Sequence, residues 1–307
     1  MHRRSFLALT GATALGACAT RLNTTPTELA DLGAPTTADQ IVARMAQPGR
    51  LGFEKIVVAD WHFPNTTRPP GGGAWAIREL GAQIYFYAIR HPERGLYFID
   101  AGMPANYERY MGAILRNALR DTYDFSLRVS TDAWVRENGA PRAAFITHLH
   151  YDHVLGVSAL DHATPVYVGP NDGAHRNFFY RFINQPTREA LEGRSVRTWR
   201  FEPAPEGGLA ALDVFGDGAL FALHVPGHTP GSTAYLVSTT QGPQLVTGDA
   251  VHSREGWTGE FEEATGFEAD LTQILASRRA LQILAARIAG LTVHPGHQSL
   301  LSTMPRQ

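Results

Sequence analysis

The stretch Thr147-His148-Leu149-His150-Tyr151-Asp152-His153 gathers three imidazoles and one carboxylate within six residues. Side chains of these types bind zinc and comparable divalent ions through nitrogen and oxygen. Two histidines in alternation can reach one ion. The Asp152-His153 pair behind them is placed to reach a second. Leu149 and Tyr151 act as spacers. The apolar run Ala143-Ala144-Phe145-Ile146 precedes the cluster and reads as a short buried strand. The ligands therefore fall in the loop where a strand ends, and a rigid element can aim them.

This run resembles the H-x-H-x-D-H signature of the metallo-β-lactamase superfamily. Further stretches resemble the later motifs of that family. His228 stands in Val225-Pro226-Gly227-His228-Thr229-Pro230-Gly231-Ser232, Asp249 in Val246-Thr247-Gly248-Asp249-Ala250, and His297 in His294-Pro295-Gly296-His297. Upstream, Tyr97-Phe98-Ile99-Asp100-Ala101-Gly102 is similar to the family's early strand and turn. The resemblance spans roughly residues 80 to 300. It implies an α/β fold, the four-layer αββα sandwich of the metallo-β-lactamase type. It also implies that His148, His150 and His228 hold one metal, that Asp152, His153 and His297 hold the other, and that Asp249 bridges them. His294 competes with His297, but the family places its ligand after Pro-Gly. Asp100 is implied as a supporting residue that orients ligands through hydrogen bonds.

Two divalent ions about 3.5–4 Å apart can share a hydroxide near neutral pH, because metal binding lowers the pKa of water to about 7. No Ser or Cys nucleophile is then required. The expected cofactor is a pair of divalent ions, zinc first, with manganese, iron or cobalt as alternatives. Asp152, Asp249 and His252 are the candidate catalytic residues, and Asp249 can carry a proton to the leaving oxygen. In wording, the ligand loops are nearest to the quorum-quenching lactonases, so an ester or lactone is the expected substrate. One departure matters. Those lactonases commonly carry a Tyr three residues after the bridging Asp, in contact with the substrate carbonyl; here that position is His252, whose imidazole can donate a hydrogen bond instead. Asp249 argues against a β-lactamase, since β-lactamases of this fold usually lack Asp there. A glyoxalase-II-like thioesterase carries the same ligands and stays open. Readings of another class are a mononuclear iron dioxygenase and a metal-binding protein without turnover. Nucleases share the ligands too, but 27 Lys+Arg against 29 Asp+Glu leaves no basic footprint for nucleic acid. The expected partner is a small molecule.

The elements that must position these residues follow from periodicity. Asp39 to Gln47 reads as a short helix and Lys55 to Ala59 as a strand. Asp60 to Gly73 reads as a Pro/Gly-rich loop whose Trp61, His62 and Phe63 pack locally or line a pocket. Gln83 to Ile89 and Gly95 to Ile99 read as strands paired across His91-Pro92-Glu93-Arg94-Gly95. Tyr107 to Leu119 and Thr131 to Asn138 have helical spacing, and Gly139 and Pro141 stop the second. A helix is expected over Val154 to Leu160 and a strand over Pro165 to Val168. Residues 171–192 combine Phe178, Phe179, Tyr180, Phe182 and Ile183 with arginines, and read as a helical insertion over the site or packed on the core. Strands follow at Arg197 to Phe201, Ala211 to Phe215, Ala219 to His224, Thr233 to Ser238 and Gln244 to Thr247. Leu271 to Ile288 marks a late amphipathic helix, and Leu291-Thr292-Val293 the last strand.

The beginning of the chain reads as a targeting segment. Arg3-Arg4-Ser5-Phe6-Leu7 resembles a twin-arginine export signal. The apolar run Phe6 to Ala17 is too short for a permanent membrane helix. Leu15-Gly16-Ala17-Cys18 resembles a bacterial lipobox. The expectation is an export signal with lipobox over residues 1–18, a flexible tether over 19–35 and a hydrolase domain over 36–307, exported to the periplasm and lipid-anchored to the membrane through Cys18. Cys18 is the only cysteine, so a disulfide within the chain and thiolate ligation in the mature domain are excluded.

Overall fold

The computed structural model describes residues 27–121, 124–174, 180–204, 208–264 and 269–298. Arg3, Arg4 and Cys18, with the export and lipidation expectations they carry, lie outside the described residues. No helix among the described residues is long and apolar enough to cross a membrane.

Two sheets face each other. Among the described residues the first has nine strands, in the order β1 (Glu28–Leu29), β9 (Val196–Thr198), β8 (Val166–Val168), β7 (Ala144–Phe145), β5 (Gly95–Ile99), β4 (Ala76–His91), β3 (Gly52–Arg68) and β14 (Glu262–Ala264), with β6 (Ser126–Leu127) paired to β3. The second has six: β15 (Thr292–Pro295), β13 (Gly242–Gly248), β12 (Thr233–Thr239), β11 (Leu220–His224), β10 (Ala211–Asp213) and β2 (Ala34–Thr36). The helices are α1 (Ala38–Met45), α2 (Ala113–Asp121), α3 (Thr131–Asn138), α4 (Tyr151–Val154), α5 (Tyr180–Leu191), α6 (Arg254–Thr258) and α7 (Leu271–Ala285).

Three apolar layers hold these elements. Leu115, Leu119, Trp134 and Leu191 of the helices pack with Phe86, Phe98 and Ile146 on the outer face of the first sheet. Ile41, Met45, Leu281 and Leu284 cover the outer face of the second, on Phe221, Leu236 and Val293. Between the sheets lies an aromatic layer of Tyr85, Tyr87, Tyr97, Phe145, Tyr167, Trp199, Phe215 and Tyr235. The order helix, sheet, sheet, helix is the αββα sandwich expected.

Phe145 sits at the centre of the aromatic layer, fully buried. Its ring lies 5.5 Å from Tyr97, 5.3 Å from Tyr167 and 5.8 Å from Trp199. Two residues later the ligand loop begins. Truncation to Phe145→Ala is expected to cost about 3–5 kcal/mol, the usual range for a buried Phe; the urea midpoint measures it.

The directions of the strands explain where a site can form. β5, β7 and β8 are mutually parallel, and β13 is parallel to β15. β11 and β13 each run antiparallel to β12, so they share a direction. The carboxyl ends of all six therefore deliver their following loops to one rim.

Several local expectations are corrected. Asp60 to Arg68 is not loop: β3 continues to Arg68 and pairs with β4 from Gly52↔Arg90 to Thr67↔Ala76. The long partner strand supplies hydrogen bonds that local composition did not suggest. Part of the expected tether is structured, because Glu28↔Arg197 and Ala34↔Asp213 pair it to the two sheets. The helix expected over Tyr107 to Leu119 is broken at Met111-Gly112 into a short turn and α2. Val154 to Leu160 is α4's end followed by a 3-10 turn. In the 171–192 segment, the side chains of Phe178, Phe179, Tyr180, Phe182 and Ile183 lie outside the described residues.

Lys55, the only lysine of the chain, is on β3. Its Nζ lies 3.6 Å over the Tyr85 ring. That nitrogen is buried with no hydrogen-bond partner among the described residues. Burial pushes the amine down to about 7.

Candidate metal centre

The ligand loops leave the rim just described. The loop and helix after β7 carry His148, His150, Asp152 and His153; His228 follows β11, Asp249 follows β13 and His297 follows β15. All seven side chains are buried. Their donor atoms form two groups, His148, His150, His228 and Asp249 in one and Asp152, His153 and His297 in the other, each within 4.8 Å. The two groups meet at Asp249. Its Oδ2 is 3.4 Å from His228 Nε2, 3.7 Å from His148 Nε2 and 3.2 Å from His297 Nε2, and its Oδ1 is 3.3 Å from His153 Nε2. Asp152 Oδ2 lies 3.5 Å from His153 Nε2 and 3.4 Å from His297 Nε2.

This set fits divalent cations. His228 Nε2 and His150 Nδ1 face each other at 3.0 Å, close enough to share a proton or a cation. The Nε2 atoms of His148 and His153 and Oδ1 of Asp249 are buried without a hydrogen-bond partner among the described residues. Buried polar atoms left so are costly unless something else binds them.

Charge is arranged accordingly. Burial pushes His150 and His228 down to about 3. It also holds His148 well below the usual range, and neighbouring imidazoles add to the effect. Burial would lower His153 too, but Asp249, Asp100 and Asp152 outweigh it and hold that imidazole well above its ordinary value. For Asp249, burial would raise the carboxyl, yet His297, His153, His252 and His148 together hold it well below the usual carboxylate range.

The far side of each ring is also held. Asp100 Oδ2 contacts His153 Nδ1 at 2.9 Å, while its two oxygens accept Thr147 N–H at 2.7 Å and Thr147 Oγ1–H at 3.1 Å. Asp100 thus has the supporting geometry that the resemblance implied, at a backbone φ of 56°. Thr147 Oγ1 lies 3.2 Å from His148 Nδ1, and the Gln83 carbonyl oxygen 3.1 Å from His297 Nδ1. Such partners set which ring nitrogen faces a metal. Gln83 escaped the sequence reading, since a backbone contact leaves no residue-type signal.

His252 is fully buried and aims Nε2 at Asp249 Oδ2 from 3.4 Å. Its neighbour in the fold is Glu263, also unforeseen. Glu263 accepts His252 N–H at 2.7 Å and Ser253 Oγ–H at 2.6 Å, and faces Arg278 Nη2 at 3.6 Å. This buried carboxylate from β14 pins the loop after the bridging Asp. Trp61 stands edge-on to His297, ring centroids 5.6 Å apart. His294 is taken up by Gln244 at 2.9 Å.

Comparison with known proteins identifies the family. The model of the metallo-beta-lactamase superfamily matches residues 80–297. The chain belongs to the metallo-beta-lactamase superfamily. It is 29% identical over 230 residues to the metallo-hydrolase mfmC of Annulohypoxylon moriforme, covering 71% of this chain and 57% of that protein. It is 30% identical over 159 residues to the N-acyl homoserine lactonase AttM of Azorhizobium caulinodans, covering 49% of this chain and 56% of AttM. A hydroxyacylglutathione hydrolase of Pseudomonas entomophila is 32% identical over 173 residues, covering 56% of this chain and 51% of that enzyme. The chain thus spans less than two thirds of the length of these relatives. Among solved structures, a quorum-quenching N-acyl homoserine lactone hydrolase superposes with a TM-score of 0.58 at 18% identity, covering 82% of this chain and 93% of the other. At that identity the likeness concerns the fold.

Proposed function

We propose that this chain is a dinuclear metal-dependent hydrolase that opens an ester or lactone. The observation that carries the reading is the place of Asp249, one buried carboxylate facing His148 and His228 of one group and His153 and His297 of the other. When bound there, two divalent ions would supply an activated water and a Lewis acid for the carbonyl. The chain's part is to aim its donors and keep them dry. Burial keeps His148, His150 and His228 in the neutral form that a cation requires. Asp152, in the first turn of α4, completes the second group between His153 and His297. Asp249 is placed to accept a proton and release it to the leaving oxygen. His252 Nε2, 3.4 Å from Asp249 Oδ2, is placed to support that carboxylate or to reach a substrate carbonyl as a lactonase Tyr does.

A lactone or ester is favoured by the wording of the ligand loops and by the AttM likeness. A thioester is the second reading, favoured by the likeness to the hydroxyacylglutathione hydrolase. A panel of lactone, ester, thioester and β-lactam substrates, run with metal analysis, tests both. The expected result is two zinc-like ions per chain with lactones or esters cleaved fastest. One iron per chain without hydrolysis would replace this reading with a dioxygenase. Failure on every substrate at full metal loading would leave a binding protein.

Arg3, Arg4 and Cys18 support export and lipid anchoring as part of the same proposal. Arg3→Lys with Arg4→Lys is expected to block export through the folded-protein route. Cys18→Ala is expected to release active protein from membranes. A Cys18→Ala protein that still fractionates wholly with membranes would refute the anchor.

A further inference from the structure

Asp172 lies outside the seven candidate ligands, on the turn after β8, and is buried. It faces no metal position. Instead, its two carboxylate oxygens accept backbone N–H groups from two different ligand loops. Oδ2 accepts Leu149 N–H at 2.8 Å, at the residue between His148 and His150. Oδ1 accepts Gly231 N–H at 3.2 Å, three residues after His228. The Thr229 side chain, next to His228, also hydrogen-bonds to it. Leu149 is held at its other end as well, its carbonyl accepting Thr187 Oγ1–H at 3.1 Å.

The backbone around Asp172 is shaped for this contact. Gly169 packs directly on Gly231, and a Cβ at Gly169 would overlap the Gly231 carbonyl oxygen. A Cβ at Gly231 would stand 2.6 Å from Asp172 Cβ. Asn171 takes a φ of 63°, in the left-handed region that Asn tolerates better than most residues. Asp172 therefore joins two loops that come from opposite sheets, one after β7 and one after β11. The two segments it touches are those of His148, His150 and His228, ligands of one group, although the first loop runs on into Asp152 and His153 of the other. The other group is anchored elsewhere, His153 by Asp100 and His297 by the Gln83 carbonyl.

We infer that Asp172 is a positioning residue for one metal site only, setting the distance between the His148–His150 loop and the His228 loop. The inference rests on the dinuclear reading above. The Asp152, His153 and His297 site, although Asp152 and His153 follow on the same loop, has its own anchors in Asp100 and the Gln83 carbonyl.

The test is an equilibrium titration of chelator-stripped full-length protein with Co(II), followed by its visible spectrum. The parent is expected to bind in two steps, and His297→Ala, which removes a ligand of the second group, identifies which step belongs to which site. Asp172→Asn keeps the size of the side chain but offers one acceptor oxygen where two N–H groups need them. It is expected to weaken the step of the His148, His150 and His228 site about 10–100-fold, the usual scale for residues that orient ligands. The other step is expected to keep its affinity and its spectrum. A general loss of structure would move both. Equal weakening of both steps, or of neither, overturns the inference. If Asp172→Asn is not obtained folded, Asp172→Glu replaces it, keeping two acceptors displaced by one methylene, and is judged by the same one-sided criterion. A parent that binds a single ion would fail the dinuclear reading instead. The positioning role then stands only if Asp172→Asn weakens that ion at least about tenfold.

Discussion

Asp249→Ala protein is expected to fold, to bind fewer than two divalent ions per chain and to lose most of its turnover. The carboxylate faces imidazoles of both groups, at 3.4 Å from His228 and 3.3 Å from His153. Removing it takes a negative charge from between two cations and leaves their repulsion less compensated. It also removes the candidate proton carrier. Asp100→Ala makes a useful comparison. Asp100 touches His153 Nδ1 and Thr147 but stands behind the ligands, so its loss should stay within the roughly 10–100-fold typical of residues that orient them. Asp249→Ala should exceed that range. Metal content and turnover measured on both variants decide the matter. An Asp249→Ala protein that keeps two ions and a near-normal rate, while Asp100→Ala loses both, would move the bridge to the other aspartate.

Chelation is expected to abolish hydrolysis and to lower the thermal midpoint together. The candidate ligands come from both sheets, so each bound ion would tie the two halves of the sandwich. A ligand at a thousand times its Kd stabilises the folded state by about 4 kcal/mol, which for a chain of this size corresponds to a shift on the order of 10 °C. Added zinc, manganese or cobalt should restore part of both. The metal-free protein should also lose stability in acid. His150 and His228 are held down to about 3 by burial, while unfolded imidazoles titrate near about 6.5. Between those values the unfolded chain binds more protons, so stability falls as pH is lowered. His153, held above the ordinary value, contributes with the opposite sign and only above about pH 6.5. The acid limb is therefore set by the lowered imidazoles, His148 and His294 as well as His150 and His228. Full activity and an unchanged melting profile in rigorously metal-free protein would end the dinuclear mechanism.

The site was readable because its chemistry is local in the chain. His148, His150, Asp152 and His153 are dense, and a strand ending at Phe145 points them outward. Pro-Gly before His228 and His297 marked loops of known kind. What was not readable depends on contacts between distant residues. Asp172 looked like one polar residue at the start of an aromatic segment, though Gly169-Pro170-Asn171 before it carried a turn signal. Glu263 had no signal at all, because its partners His252, Asn65 and Arg278 come from three other parts of the chain. The strand beyond Asp60 departs from the loop expectation for the same reason. Pro64 and the Pro69-Pro70 pair speak locally for a loop, but β4 offers a full-length partner, and pairing outweighs local preference. Glu28-Leu29 and Ala34-Pro35-Thr36 are too short to show alternation and gain their form from β9 and β10.

The setting of Lys55 bears on how this protein can be handled and watched. Elsewhere the chain carries its positive side chains as arginine, so reagents that acylate amines have one side-chain target. Burial pushes the Lys55 amine down to about 7, and exposure to water on opening would return it toward the ordinary lysine value of about 10.4, so a more alkaline buffer speeds labelling of the open form. What withholds it is access, since Nζ is enclosed against Tyr85. Its acylation rate then becomes a clock for local opening of β3 away from the sheet interior, read by mass spectrometry at a single lysine without any engineered probe.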